Sequence, residues 1–224
     1  MYNITVIFTS HGDEGKCNSD ELYKIIESIN PEIIFEEIPS SLFESIYNGT
    51  EYDNRLEVKC VKKYRVNHDI EQVPVDIDED PNLPTNNIQF MFATFKKYQV
   101  YKEIEDEHYF MIKHDGFTYL NSNKSSDINN KLRAVERQLM GVISNRNIIA
   151  HLYKLFFVEQ ENREKAMLTN IYNYSKENEF TRAVFLIGNG HRNSIMQKIA
   201  EYDSKKEFKL KWKFYSNPDS QVND

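Results

Sequence analysis

Cysteine is nearly absent from this chain of 224 residues, which contains only Cys17 and Cys60. Neither cysteine belongs to a Cys-x-x-Cys or Cys/His pattern of the kind that marks redox or zinc sites. This scarcity excludes a disulfide-rich scaffold. The fold must therefore depend on an ordinary apolar core, and a hydrophobic content of 40% is enough to build one.

Long apolar runs and an excess of positive charge are missing too. No apolar stretch approaches the roughly 20 residues that a membrane-spanning helix needs. The predicted first strand begins by Ile4, which leaves no room for a signal peptide, so we expect a cytoplasmic protein. The net charge of -7 argues against binding to nucleic acid or to an anionic membrane surface, and solubility explains it most simply. The expected partner is a small molecule or a peptide; a homo-oligomer stays open.

Common hydrolase and nucleotide-binding motifs are absent as well. The sequence has no Gly-x-Ser-x-Gly elbow, no His-Glu-x-x-His and no P-loop. Gly188-Asn189-Gly190 resembles the start of a dinucleotide-binding turn, but Asn193 occupies the third glycine position. A nucleotide-binding module at this turn is therefore the weakest of the three functional hypotheses considered for this chain. A helix that begins after this turn could still hold an anion at its N-terminus.

The clearest pattern that is present lies in residues 4–39, which read as strand, polar turn, helix and strand. Apolar residues in 22–29 recur at the spacing of one helix face. Ser19 suits the N-cap of this helix, and Pro31 ends it. The strands on both sides are short and β-branched, which predicts a βαβ unit with a parallel pair.

The whole chain then reads as one α/β domain over residues 1–224. Residues 1–78 form an N-terminal βα half, residues 88–178 a mainly helical insertion, and residues 180–216 a C-terminal βαβ half. The predicted architecture is a mixed, mainly parallel split sheet flanked by helices, with the helical insertion between the two βα halves.

Three details of the insertion matter for comparison with the structure. Residues 109–120 fit either a helix or a hairpin that turns at Asp115-Gly116, and the pattern does not decide between them. Residues 121–130 are predicted to form a polar loop. One long buried helix is predicted over residues 132–156, with another around Met167.

Two predicted strand-to-helix turns carry a histidine, and two further strands end in acids. His11 follows the first predicted strand, and His191 follows the late strand near residue 187. The second strand ends in Glu36 and Glu37, and the third ends at Asp76. Parallel strands end at one edge of a sheet, where open α/β folds place their ligands. Such a cluster can bind a divalent metal ion through His11, Glu37 and His191, or activate water directly. The alternative is that each of these is a solvated loop residue.

A basic residue in the insertion is a further candidate. Arg146-Asn147 interrupts an apolar helical run, and a buried guanidinium requires a carboxylate or an anionic ligand as its partner. Glu36 or Glu37 would serve if this helix packs over the sheet edge. An exposed Arg146 on a solvent face is the alternative.

Together these residues resemble the TraB/Tiki group and its erythromycin-esterase-like and ChaN-like relatives. That group has an early strand ending in a Gly-x-x-His turn, a Glu-Glu after the next strand, an Arg-Asn or Arg-Asp on a helix, and a second Gly-x-x-His. In this chain Phe8 stands where the first turn of the family has glycine. The matching positions are His11, residues 34–37, residues 73–76, Arg146-Asn147 and Gly188-Asn189-Gly190-His191.

The resemblance implies an α/β fold that gathers these residues in one pocket. It implies no single activity, because the wider group includes metal-dependent proteases, esterases that use His and Glu without a metal, haem-binding proteins and signalling proteins. We expect a hydrolase of amide or ester bonds, with or without a divalent metal ion. The alternative is a non-catalytic protein that binds a peptide, an anion or haem in the same pocket.

Each candidate residue has an expected role in that hydrolase. His11, His191 and Glu36 or Glu37 would activate water, and Arg146 would orient a carboxylate or stabilise an oxyanion. The expected residues for binding the substrate or an anion are Asp76, Asn147, Gly188, Asn189 and Gly190.

Overall fold

A single parallel sheet organises the chain, as seen in a computed structural model that describes residues 2–49, 53–205 and 207–216. Its order is β3-β2-β4-β1-β5, and every pairing is parallel, which confirms the predicted α/β class. The strands are β1 (Asn3–Thr9), β2 (Ile33–Pro39), β3 (Glu71–Asp76), β4 (Arg182–Gly188) and β5 (Lys211–Phe214).

Helices cover both faces of this sheet. The described helices are α1 (Ser19–Ile29), α2 (Ser40–Asn48), α3 (Leu56–Tyr64), α4 (Thr85–Phe95), α5 (Gln99–Leu120), α6 (Asn123–Met140), α7 (Arg146–Glu177) and α8 (Arg192–Lys205). A short 3₁₀ turn, Asn189–His191, links β4 to α8. Among the described helices, none combines the length and the hydropathy needed to cross a bilayer.

The pairing of β1 with β4 joins the two ends of the chain. Seven residues of each strand pair in register, from Asn3 with Arg182 to Thr9 with Gly188. Side chains alternate between the faces of the sheet, so Ile7 and Leu186 pack in one core while Phe8 and Ile187 pack in the other. Because both faces are covered, these strands are apolar almost throughout. The turns that follow β1 and β4 therefore lie side by side.

Several predicted boundaries differ in the N-terminal half. Asn18, not Ser19, caps α1, because its side chain accepts hydrogen bonds from the backbone amides of Asp20 and Glu21. Apolar spacing in the sequence also predicts a helix over residues 52–67, and α3 (Leu56–Tyr64) lies within that range; Tyr52 and the residues after Ser216 lie outside the described residues. The predicted third strand is seen as β3.

The insertion contains more helix than the pattern indicated. Residues 109–120 belong to α5, so the hairpin alternative is wrong; Gly116 breaks the helix there with φ 54°. The predicted polar loop is instead the start of α6, capped by Ser122, and its residues Asn123, Lys124 and Asp127 are exposed on this helix. The single predicted long helix is two helices: α6 ends at Met140, and α7 begins after Asn145, whose φ is 63°.

Candidate functional site

A cleft of about 510 Å³ lies at the carboxyl edge of the sheet. The turns after β1 and β4 and the end of β2 form its floor, and residues of α4 to α7 form its walls. Both histidines of the predicted cluster line this cleft, as does Glu37. A larger surface groove of about 790 Å³ lies against α1 and α5, but no histidine lines it.

Glu37 occupies the centre of the cleft floor. Its Oε1 accepts a hydrogen bond from Arg163 Nη2 at 2.7 Å and lies 3.2 Å from His191 Nε2. Its Oε2 accepts from the Gly188 amide at 2.7 Å and lies 3.8 Å from His11 Nε2. Burial opposes ionisation, but the hydrogen bond from His191 and the surrounding positive charges hold the pKa of Glu37 far below its usual range. Glu37 is therefore an anion that holds its neighbours in place.

His11 is the more accessible imidazole of the predicted pair, His11 and His191. Its side chain is 39% exposed, and its Nδ1 lies 2.9 Å from Glu57 Oε1. The backbone of His11 has φ 60°, a left-handed conformation that is rare outside glycine and concentrates at functional positions. Burial lowers the pKa of His11, but the hydrogen bond and charge of Glu57 and the charge of Glu37 outweigh it and raise the pKa. Glu57 itself is buried and also accepts a hydrogen bond from the Thr9 hydroxyl.

His191 differs from His11 in being buried between two carboxylates. Its Nδ1 lies 2.7 Å from Glu164 Oε1, and its Nε2 faces Glu37. Burial lowers the pKa of His191, yet the bonds to Glu164 and Glu37 prevail and raise the pKa to about 9. Glu164 is also held by Lys198 at 2.8 Å and by the Ser194 hydroxyl at 2.5 Å. At neutral pH His191 is thus a fixed cation.

Glu36 does not share the cleft with Glu37. Successive strand residues point to opposite faces, so Glu36 is buried on the other side of β2. It accepts hydrogen bonds from Gln72 Nε2 at 2.9 Å and from the Tyr47 hydroxyl. Burial raises the pKa of Glu36 to about 7, although these two hydrogen bonds oppose the rise. Of the two acids predicted to activate water, Glu36 or Glu37, only Glu37 lines the cleft.

The arginine of the site is Arg163, and the predicted role of Arg146 as its buried guanidinium is wrong. Arg146 and Asn147 are exposed at the start of α7, and neither lines the cleft. Arg163, further along α7, bridges Glu37 and Asp76; its Nη2 lies 2.5 Å from Asp76 Oδ2. The apolar spacing around Arg146 continues across the turn between α6 and α7, which is why it suggested a buried position.

The turn after β4 contributes by its backbone and by one amide side chain. A Cβ on Gly188 would lie 2.4 Å from His11 Nε2, so a side chain at this position would displace the imidazole of His11. Asn189 accepts from Asn129 Nδ2 at 2.9 Å and from Ser125 Oγ at 3.1 Å. Its own Nδ2 donates to the carbonyl of Leu120 at 2.8 Å. The side chain of Asn189 is thus occupied in joining this turn to α5 and α6, whereas Gly190 borders the open cleft.

The arrangement does not fit the predicted metal site. Within the described residues, no three or more His, Cys, Asp or Glu side chains are placed to hold a metal ion. Both oxygens of Glu37 already accept hydrogen bonds from nitrogen donors. Both ring nitrogens of His191 already face carboxylates, Nδ1 that of Glu164 and Nε2 that of Glu37. We therefore derive no chemical step through a metal at these residues.

Sequence reasoning missed three residues of the site: Glu57, Arg163 and Glu164. Glu57 lies beside Leu56 at the start of α3, and nothing local distinguishes it from a solvent-facing acid. Arg163 and Glu164 lie in a charged stretch of α7, residues 159–165, that resembles an exposed face. Buried charges within such a stretch become evident only once its helix is packed across the sheet.

No protein-family model matches the sequence, and no curated protein matches it. Two solved structures are similar. A crystal structure of a Bacillus cereus protein has a TM-score of 0.37 and 12% identity over 95% of this chain. A mutant of the erythromycin esterase EreC in its open conformation has a TM-score of 0.34 and 12% identity over 84% of this chain. The aligned regions span 64% and 60% of those two chains. Similarity of this degree carries no conclusion about activity, and the resemblance to the TraB/Tiki group stays a prediction.

Proposed function

We propose that this protein is a hydrolase that cleaves an ester or amide bond by activating water at His11. The observation that carries the proposal is the pairing of His11 with the buried Glu57 at the mouth of the cleft. A carboxylate can only accept a hydrogen bond, so the negative charge of Glu57, 2.9 Å from Nδ1, favours the neutral tautomer that carries its proton on Nδ1 and leaves Nε2 as the base. An imidazole oriented by a carboxylate in this way is a recurring arrangement in hydrolytic sites.

In the proposed reaction, His11 carries one proton from the attacking water to the leaving group. Nε2 takes a proton from water, and the water oxygen forms a bond to the carbonyl carbon of the substrate. The resulting imidazolium is stabilised by Glu57 and Glu37, which lie 2.9 Å and 3.8 Å from its two nitrogens. When the carbon–oxygen or carbon–nitrogen bond breaks, the imidazolium returns the proton to the leaving atom.

Arg163 supplies a donor for the negative charge that develops on the carbonyl oxygen. Its Nε and Nη2 are bound to Asp76 and Glu37, while Nη1 makes no hydrogen bond to any of the described residues. A guanidinium held by two carboxylates cannot reorient, so its remaining donor is fixed before the reaction starts. This is the role that the sequence pattern assigned to Arg146.

The proposal is tested with para-nitrophenyl acetate, para-nitrophenyl butyrate and a para-nitroanilide as probes. Wild-type protein is expected to release nitrophenol or nitroaniline, and His11→Gln to lower kcat/KM by about 100-fold or more, which is the usual contribution of a general base. His151→Gln is the control, because His151 is exposed on α7 and does not line the cleft. Turnover that survives His11→Gln unchanged would contradict the proposal.

The pH dependence gives a second, independent readout. The neutral form of His11 is the active base, so kcat/KM should rise with pH through the raised pKa of His11. Glu57→Gln removes the hydrogen bond and the charge that raise this pKa, so the rising limb should move to lower pH. The ring-proton NMR signal of His11 reports the same shift without substrate. A protein that binds a peptide, an anion or haem but turns over none of the probes would instead support the non-catalytic alternative.

A further inference from the structure

A second depression adjoins the cleft and takes no part in the proposed water activation. This side groove has a volume of about 280 Å³ and lies between α6, α7 and the start of α8. It shares Arg133, Gln160 and Gly190 with the cleft, so the two adjoin at these residues. A substrate that reacts beside His11 and extends past Gly190 would enter the side groove.

Arg133 stands at the junction and is held rigidly. Its Nη1 donates to both carboxylate oxygens of Glu136, at 2.9 Å and 2.7 Å. Glu136 is fully buried and also accepts hydrogen bonds from Tyr153 at 3.0 Å and Tyr101 at 3.3 Å. The guanidinium of Arg133 lies 5.0 Å above the ring of Phe157. Contacts from α5, α6 and α7 thus fix the plane of one accessible guanidinium.

The remaining donors of Arg133 are those of Nε and Nη2. Neither Nε nor Nη2 donates a hydrogen bond to a carboxylate of the described residues, and 29% of the side chain is exposed. These two N–H groups form the edge of a guanidinium that binds a carboxylate through two parallel hydrogen bonds. Because the plane is already fixed, such a ligand would bind without the entropic cost of ordering the side chain.

The acidic residues that line the side groove are already paired. Glu164 is bound to His191 and Lys198, and Glu161 forms an ion pair with Lys165 at 2.5 Å. Within the described lining, no carboxylate is therefore free to take the open edge of Arg133. Lys198 also lines the groove, and its ammonium group is the partner of Glu164.

From this geometry we propose that Arg133 binds a carboxylate group of the substrate. The substrate is then an acidic ester or amide whose reacting bond lies beside His11 and whose carboxylate lies at the junction with the side groove. The assignment of the reacting bond rests on the proposed hydrolase function; the binding of a carboxylate at Arg133 does not.

Two para-nitrophenyl esters of similar acyl length, one acidic and one neutral, test whether the protein recognises a carboxylate on its substrate. Wild-type protein should show a lower KM for the mono-para-nitrophenyl ester of succinic acid than for para-nitrophenyl butyrate. Arg133→Gln should raise the KM of the acidic ester relative to that of the neutral ester by about tenfold to a hundredfold, the range expected for losing a hydrogen-bonded charge pair. Arg137→Gln is the control, because Arg137 is exposed on the same helix. Equal KM values for the two esters in wild-type protein would overturn the inference.

Arg133→Gln leaves the charge of Glu136 buried without its partner and can unfold the protein for that reason alone, so a second variant without this buried charge is needed. Arg133→Gln combined with Glu136→Gln removes both charges and should fold. Binding is then measured calorimetrically with phenylacetate and with phenylacetamide, which have the same shape and differ in charge. Phenylacetate should bind at least tenfold more tightly than the amide to wild-type and His11→Gln protein, and the double variant should lose this preference.

The two proposals fail in different ways. If none of the esters is cleaved but phenylacetate shows the Arg133-dependent preference, the hydrolase proposal is contradicted and the carboxylate site stands. If the esters are cleaved but the acid and the amide bind equally, or the preference survives in the double variant, the inference about Arg133 is overturned.

Discussion

Gly188 and His11 meet at the ends of two neighbouring strands, and their contact sets the position of the proposed base. The Gly188 amide donates to Glu37, and a Cβ at this position would lie 2.4 Å from His11 Nε2 and 3.3 Å from Glu37 Oε2. The backbone of Gly188 has φ -59°, a value that any residue adopts. Glycine is therefore suited to this position because it has no side chain to clash with His11; the backbone conformation does not require it.

Gly188→Ala should impair catalysis more than folding. The added methyl group displaces the half-exposed imidazole of His11, and misplacing a catalytic group by about 1 Å can cost up to roughly 100-fold in rate. We expect kcat/KM to fall by about tenfold or more and the free energy of unfolding to change by less than about 1 kcal/mol. Steady-state kinetics and urea unfolding measure the two quantities.

Gly190→Ala is the matched control for this substitution. A Cβ on Gly190 would meet no atom within 4 Å, so both quantities should stay at their wild-type values. If the two alanine variants lose activity equally, the contact with His11 is not what matters at Gly188.

At the scale of elements, α5 connects the first strand to the cleft wall. Just after its C-terminus, the side chain of Asn121 accepts from the Phe8 amide at 2.9 Å and donates to the Phe8 carbonyl at 3.1 Å. The break at Gly116 redirects the last turn of α5 toward β1. A Cβ on Gly116 would lie 2.3 Å from the backbone oxygen of Lys16, which cannot move out of the way easily.

Gly116→Ala should therefore destabilise the fold. The left-handed backbone at φ 54° and the clash with backbone atoms of Lys16 add to a cost of about 1 to 3 kcal/mol in the free energy of unfolding. Asp115→Ala changes the exposed neighbour and should have little effect. Urea unfolding of both variants tests this, and an unchanged midpoint for Gly116→Ala would show that α5 can straighten without penalty.

Across the whole molecule, one row of buried and half-buried ionic groups links elements that are distant in sequence. It alternates acids with imidazoles and ends in a lysine. Its members are Glu57 of α3, His11 after β1, Glu37 of β2, His191 before α8, Glu164 of α7 and Lys198 of α8. The row contributes to global stability as well as to the site, because a buried charge in it is stabilised by its neighbours only in the folded state.

Stability should consequently fall as pH rises above neutrality. The pKa of His191 is raised from 6.5 to about 9 by folding, so its charge stabilises the folded state fully below pH 6.5 and progressively less as pH approaches about 9. The loss is on the order of 3 kcal/mol in the free energy of unfolding. His191→Gln should be less stable than wild type at pH 6.5, and the difference should shrink toward pH 9.

Urea unfolding over this pH range measures the effect, with the exposed His151→Gln as the control. If the difference between wild type and His191→Gln is constant with pH, His191 is not the group that titrates.

Much of the sheet could be predicted from the residue pattern of single segments, whereas much of the site could not. The strands around Ile7, Phe35 and Leu186 are short, apolar and bounded by polar turns, and those features are properties of each segment alone. The predicted N-cap of α1, Ser19, is one residue away from the observed N-cap, Asn18, because both residue types are good caps. The hairpin alternative at Asp115-Gly116 failed because α5 packs on β1, which overrides the local turn preference.

The strands could be located from local pattern alone, and so could the positions of His11, Glu37 and His191 at strand ends, since strand period and turn residues are properties of each segment. Parallel pairing then brings such residues to one edge. The packing of the folded chain was needed to show that Arg163 replaces Arg146, that Glu57 and Glu164 lie beside the two histidines, and that Glu36 faces away. These contacts depend on how distant helices pack across the sheet, and that packing is fixed by the whole core and by no single segment.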